Sequence, residues 1–340
     1  MKNNRSLIFL CCGLLTLSLI FAPVSSAAKE MIIKIATLAP EGSTWVKTFN
    51  AISAEVKQKT EGQVRLRIYP GGVLGDEKDM LRKMQIQQIH GAALSSPGLS
   101  ALYKEIDIFQ IPFLFEDHGE VDYVLTHMDS FFKKGLAESG YVLLGWAGGG
   151  FVRLMTMNPA TTLEDLKQAK VWTWEEAPIS RAIFEEAGVT GIPLSVPDVM
   201  VGLQTGLVDV VYAPPAGAIA LQWFTRIKYI TDLPLIYVTG GVVIKNNVFE
   251  SLKTDHQKIV QQVFDEHLRK LIGAIRQDNQ EALQIMVKHG VQIVKPPPDQ
   301  IEVFKQISAR ALEDLPESTF APATLAEANR LLQEYRTGKP

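Results

Sequence analysis

One amphipathic run of thirty-five residues limits the shapes open to this chain. Between Asp255 and His289, Val260, Phe264, Leu268, Leu271 and Ile275 recur near one helical face. At about 1.5 Å per residue such a helix extends roughly 50 Å. That is long enough for the helix to lie across two lobes.

The chain before it alternates strand and helix patterns. Met31 to Leu38 is a β-branched run, and Trp45, Phe49, Ile52 and Val56 then recur at helical spacing. Val64 to Pro70 alternates apolar and basic residues as a half-exposed strand does, and a helix carrying Leu81, Met84 and Ile86 follows. Gly91 to Leu99 is a short apolar strand running into a serine and proline loop. This order predicts an α/β fold with largely parallel, doubly wound sheets flanked by helices.

Tyr141 to Gly150 is a buried strand whose three closing glycines permit a crossing between lobes. From Arg153 to Pro215 the chain reads as a strand-helix-strand ligand lobe. Thr162 caps a helix with acidic residues in its first turn, KVWTW is the strand it feeds, and helices are predicted at 178–187 and 197–206. Leu233 to Asn247 is a second extended crossing, bent at Gly240 and Gly241. Pro296, Pro297 and Pro298 make a stiff break before helices near 299–312 and 325–335. The expected division is 29–150 with 240–278 as one lobe, 151–239 with 279–320 as the other, and 321–340 as a C-terminal helix and tail.

Residues 1–28 have the layout of a cleavable signal peptide: Lys2 and Arg5, an apolar run from Leu7 to Ala22, then Pro23 and small residues. The run is shorter than the roughly twenty residues that span a bilayer, which favours a leader over a retained anchor. Leu10 before Cys11 is a poor match to a lipoprotein signal. Cleavage removes both cysteines, so the exported chain depends on a buried core rather than on disulfides. Losing Lys2 and Arg5 takes the formal charge from −3 to −5, with both signs scattered, which does not suit a nucleic-acid surface.

Catalytic constellations are lacking. There is no Walker loop, no G-x-S-x-G elbow and no metalloprotease spacing among the six histidines. Gly148 to Gly150 suit a hinge better than a phosphate cradle, since extended Phe151 to Met155 follows them. Glu175 and Glu176 read as a solvated loop rather than an acid pair, because neighbours at a strand end point in opposite directions. No cofactor and no metal is expected.

Four segments, IATLAPEGSTW, TEGQVRLRIYPGGVLGDEKDML, TLEDLKQAKVW and VMVGLQTGLVDVV, together resemble the DctP-type solute receptors of tripartite ATP-independent periplasmic (TRAP) transporters. The likeness runs over nearly the whole chain after the leader. It implies a two-lobed periplasmic binding protein that closes on a small organic acid and hands it to membrane permease subunits, without catalysis, as a monomer or homodimer. A sensory or scavenging binding protein on the same scaffold is the alternative, and an exported enzyme a remote one.

The resemblance also implies where the ligand sits and where this chain departs. The family's clamping arginine, in a K-x-R motif, is replaced by Trp172, while a second arginine is kept as Arg153. A polar position late in the second lobe is occupied by Ala213, and one after the first strand by Leu38. Indole surface at Trp172 and Trp174 favours an apolar or aromatic body, and Arg153 a carboxylate. The expected ligand is therefore a monocarboxylate with its acid near Arg153 and its body on Trp172, Trp174 and Leu38. Ser95 and Ser96 are expected to supply hydroxyls from the opposite wall, and Trp223 and Trp146 to be core or cleft rim.

Overall fold

A computed structural model describes residues 30–338 apart from 175, 176, 314, 317 and 318. The leader and the Glu175–Glu176 pair lie outside the described residues. The strands, in chain order, are β1 (Met31–Thr37), β2 (Val64–Tyr69), β3 (Gly91–Ser95), β4 (Tyr141–Phe151), β5 (Arg153–Thr156), β6 (Val171–Thr173), β7 (Gly191–Pro193), β8 (Val210–Ala213), β9 (Tyr229–Thr231), β10 (Tyr237–Lys245) and β11 (Gln292–Val294). They form two sheets, ordered β2-β1-β3-β10-β4 and β11-β9-β5-β8-β6-β7, one at the centre of each lobe.

Strands joined through helices pair in parallel, as the alternation predicts: β1 with β2 and β3, and β6 with β7 and β8. The sheets are nevertheless mixed rather than mostly parallel. β10 runs antiparallel to β3 and β4, and β5 antiparallel to β8 and β9. The crossings between lobes are the cause. β4 continues into β5 with only Val152 between them, and the chain returns through Leu235 and Ile236 into β10. The Val152 N–H donates to the Ile236 carbonyl at 2.9 Å, and the Leu235 N–H to the Val152 carbonyl at 3.0 Å. The two crossings thus form an antiparallel ladder of their own, and each sheet inherits that direction.

The long helix, Thr254–Lys288, spans both lobes. Its Val260, Phe264, Leu268, Leu271 and Ile275 enter the first-lobe core with Ile33, Phe49 and Leu144. About three turns further on, Met286 joins Met155, Val199 and Val211 in the second-lobe core. Between the two stretches Asn279 ties helix, crossing and second lobe together. Its Nδ2 donates to the Gly149 carbonyl at 2.9 Å, and its Oδ1 accepts the Ala216 N–H at 2.9 Å.

The other face of the first sheet is covered by a helix at His118–Glu138. Asp117 caps it, and Val121, Val124, Met128, Phe132 and Leu136 are its buried stripe. Trp146 packs here, its ring 5.8 Å from that of Phe132 and its N–H on Asp129 at 2.7 Å, and so belongs to this core.

Candidate functional site

A cavity of about 240 Å³ lies between the two sheets, against the crossings. From the second lobe, β6 and its exit bring Trp172 and Trp174, β8 brings Tyr212 and Ala213, and a short turn brings Trp223. Trp172 is the centre of this aromatic group. Its ring centroid is 4.8 Å from that of Tyr212, 6.2 Å from Trp174, and 5.3 Å from Trp223, which it meets edge-on at 74°. The Trp172 N–H donates to the Leu194 carbonyl at 3.0 Å, fixing the indole plane. Trp172 and Trp223 are each 2 % exposed, so they are at once cleft wall and lobe core.

The first lobe supplies Leu38 after β1, Ser95 and Ser96 at the end of β3, and Thr239 on β10. Trp45, from the helical pattern after β1, packs on the first-lobe core and also reaches the wall. Leu38, Ser95, Ser96, Trp172, Trp174, Ala213 and Trp223 thus line one cavity. Arg153 does not. It is absent from the wall, and its Nη1 lies 2.6 Å from Asp232 Oδ1, at the end of the neighbouring strand β9. Lys295 is 3.7 Å from the second oxygen of the same carboxylate. The Arg153 charge is matched by Asp232 rather than by a group of this wall.

A family model described as DctP, bacterial extracellular solute-binding protein, family 7, matches residues 35–318. The chain belongs to the DctP family. Among its relatives is the 2,3-diketo-L-gulonate-binding periplasmic protein YiaO of Escherichia coli K12, 25% identical over 253 residues, or 73% of this chain and 75% of that one. The C4-dicarboxylate-binding periplasmic protein DctP of Rhodobacter capsulatus is 21% identical over 269 residues, 78% of this chain and 80% of its own. The fold matches the solved TRAP periplasmic solute binding protein of Desulfovibrio salexigens with bound orotic acid, at a TM-score of 0.81 and 20% identity, covering 92% of this chain and 100% of that one. A second, from Ralstonia eutropha H16 with bound (S)-2-acetolactate, matches at a TM-score of 0.83 and 21% identity over 89% and 99%.

In this DctP-family chain the carboxylate of Asp76 joins the lobes. Asp76 caps the helix Glu77–Gln85, its Oδ1 accepting the Glu77 N–H at 2.7 Å. Its Oδ2 accepts the Trp174 indole N–H at 3.1 Å and the Val196 backbone N–H at 2.8 Å, both from the opposite lobe. Close approach there needs the Gly71–Gly72 turn: Gly72 has φ +67, and a Cβ on it would stand 3.0 Å from the Pro197 ring. Neither Asp76 nor Thr239 is foreseeable from local pattern, since one reads as an ordinary cap and the other as a strand residue.

Glu77 lines the cavity, and burial pushes its carboxyl up to about 8, against the Ser95 and Gly98 N–H groups that favour ionisation. Ser95 is committed to it, through its N–H at 2.8 Å and its hydroxyl at 2.9 Å. Ser96 is committed to Thr239: its hydroxyl donates to the Thr239 carbonyl at 3.0 Å and accepts the Thr239 N–H at 3.1 Å. Among the described residues no group of three or more His, Cys, Asp or Glu is placed to hold a metal ion, and no helix is long and apolar enough to cross a membrane.

Proposed function

We propose that this chain is the extracytoplasmic solute-binding subunit of a TRAP-type secondary transporter, exported to the periplasm by its leader. It captures a small solute with an apolar or aromatic body between its lobes and delivers it to the membrane permease without transforming it. The observation that carries this reading is the interlobe cavity walled by Trp172, Trp174, Tyr212 and Trp223, in the position where two-lobed α/β proteins bind ligands. Burying one face of the partly exposed Trp174 ring against a ligand contributes on the order of 2 kcal/mol, while the already buried Trp172 and Trp223 hold that wall apolar.

Relatives whose names record ligands bind organic acids, among them 2,3-diketo-L-gulonate and C4-dicarboxylates. This chain departs from them at the clamp, where Trp172 stands in the position the resemblance assigns to an arginine. The apolar half of the expected monocarboxylate is retained in this proposal. Its acid half loses the partner assigned to it, because Arg153 pairs with Asp232.

The test is genetic and chemical together. The protein purified from the periplasm is extracted and its bound solute identified by mass spectrometry, and uptake of that solute is measured in cells with and without the gene. Loss of uptake on deletion is expected. Undiminished uptake would contradict the transport role.

A further inference from the structure

We propose that the solute is an organic acid with an apolar chain that reaches past Tyr212 into a second chamber, and that this chamber sets the length of chain the cleft accepts. This rests on the receptor reading above and adds the shape of its solute. The chamber, of about 110 Å³, lies in the second lobe. Tyr212 lines both spaces: its ring centroid is 4.8 Å from that of Trp172 on the cleft wall and 6.3 Å from that of Phe184 on the chamber wall. Gln110, Val152, Ser180 and Ile236 also line both, so the two spaces adjoin along a shared rim.

The chamber walls come from three sources. The helix Pro178–Ala187 supplies Ile183 and Phe184, the helix Pro298–Glu313 supplies Phe304 and Ile307, and β5 and β6 supply Leu154 and Val171. Protein interiors hold few voids larger than a water molecule, and an unfilled one costs its lining the contacts it lacks. An apolar cavity of about 150 Å³ stays dry and takes benzene, so this chamber suits a short alkyl chain or a single ring. The wall also includes Phe113, held at φ +61 with its N–H on the Leu235 carbonyl at 2.8 Å, a backbone state unfavourable for a bulky residue. Such states persist where the surroundings fix them, and ligand clamps are among those places.

The acid group does not follow the chain. Among the described residues lining the chamber there is no charged side chain, and burying a carboxylate there costs far more than an alkyl end gains. The acid therefore stays in the cleft and the apolar end points inward, which fixes the direction of the solute. A short acid leaves the chamber empty, and each methylene that enters it exchanges water for apolar contact.

The test titrates the purified protein by calorimetry at neutral pH with straight-chain alkanoic acids and ω-phenylalkanoic acids of increasing length. Affinity should climb about fourfold per methylene over the members that enter the chamber, and then level off. Ala187 lines the chamber and not the cleft. Ala187→Leu should weaken the long members at least about tenfold, the loss of two methylenes of contact, and leave the short ones unchanged. Ile307→Ala enlarges the chamber and should move the levelling point to longer members, a readout independent of how the filled variant folds. Affinity that ignores chain length, variants that shift short and long members alike, or no binding by any member overturns the inference. The receptor reading is judged separately, by uptake on deletion of the gene.

Discussion

Trp174 has two duties that substitution separates. Its ring faces the cavity, and its N–H reaches across the cleft to Asp76 at 3.1 Å. Trp174→Phe keeps most of the apolar surface and removes the donor, so ligand affinity by calorimetry should fall about tenfold, as expected for a hydrogen bond to a charged group. An unchanged affinity would mean that this bond plays no part in closure. Glu77 gives a pH signature. Its carboxyl is raised from 4.5 to about 8 in the folded protein, so the folded state binds the proton more tightly than the unfolded chain does. The stability this confers is fully present below the unfolded value and is lost as pH rises through about 8. The melting temperature should therefore decline over that window, and Glu77→Gln should flatten the decline; an unaltered slope would contradict it. The aromatic wall was legible in the sequence because Trp172 and Trp174 share a strand in a segment with strong family likeness. The pairing of Arg153 with Asp232 was not legible, because the two lie 79 residues apart and nothing local announces it.

Among the elements, the closing glycines of β4 act as a fixed joint. Gly150 has φ +107, and a Cβ there would fall 2.4 Å from Asn279 Nδ2. Gly150→Val should destabilise the protein by roughly 1–3 kcal/mol in urea denaturation and weaken ligand binding without touching the ligand. An unchanged midpoint would remove the joint from this account. Elements with long period or clear punctuation were readable: the helix Pro178–Ala187 falls where its proline and Gly188 predict, and the spanning helix within a residue of its pattern. The stripe Val121, Val124, Met128, Phe132 and Leu136 also carries a helical signal that went unassigned. By contrast β7, β9 and β11 are three residues each, too short to establish a period, and exist because neighbouring strands accept them. The mixed direction of the sheets was likewise illegible, since it follows from how the crossings pair with each other.

For the whole molecule, the two lobes meet through Asp76 on one side and through the crossing ladder and Asn279 on the other. Asp76→Ala removes the shared acceptor of two interlobe donors, so the population of closed molecules should fall. Apparent affinity scales with that population and should drop at least about tenfold, with a larger radius of gyration in small-angle scattering of the ligand-free protein. No change in either would show that Asp76 caps its helix and does nothing for closure. The central claim is that the solute lies between the lobes on indole surface, out of reach of Arg153. A crystal structure of the protein with its co-purified solute tests this most directly. Electron density against Trp172, Trp174 and Trp223, with Arg153 still on Asp232, is the result predicted; density for a solute paired with Arg153, or lying outside the cleft, would contradict it.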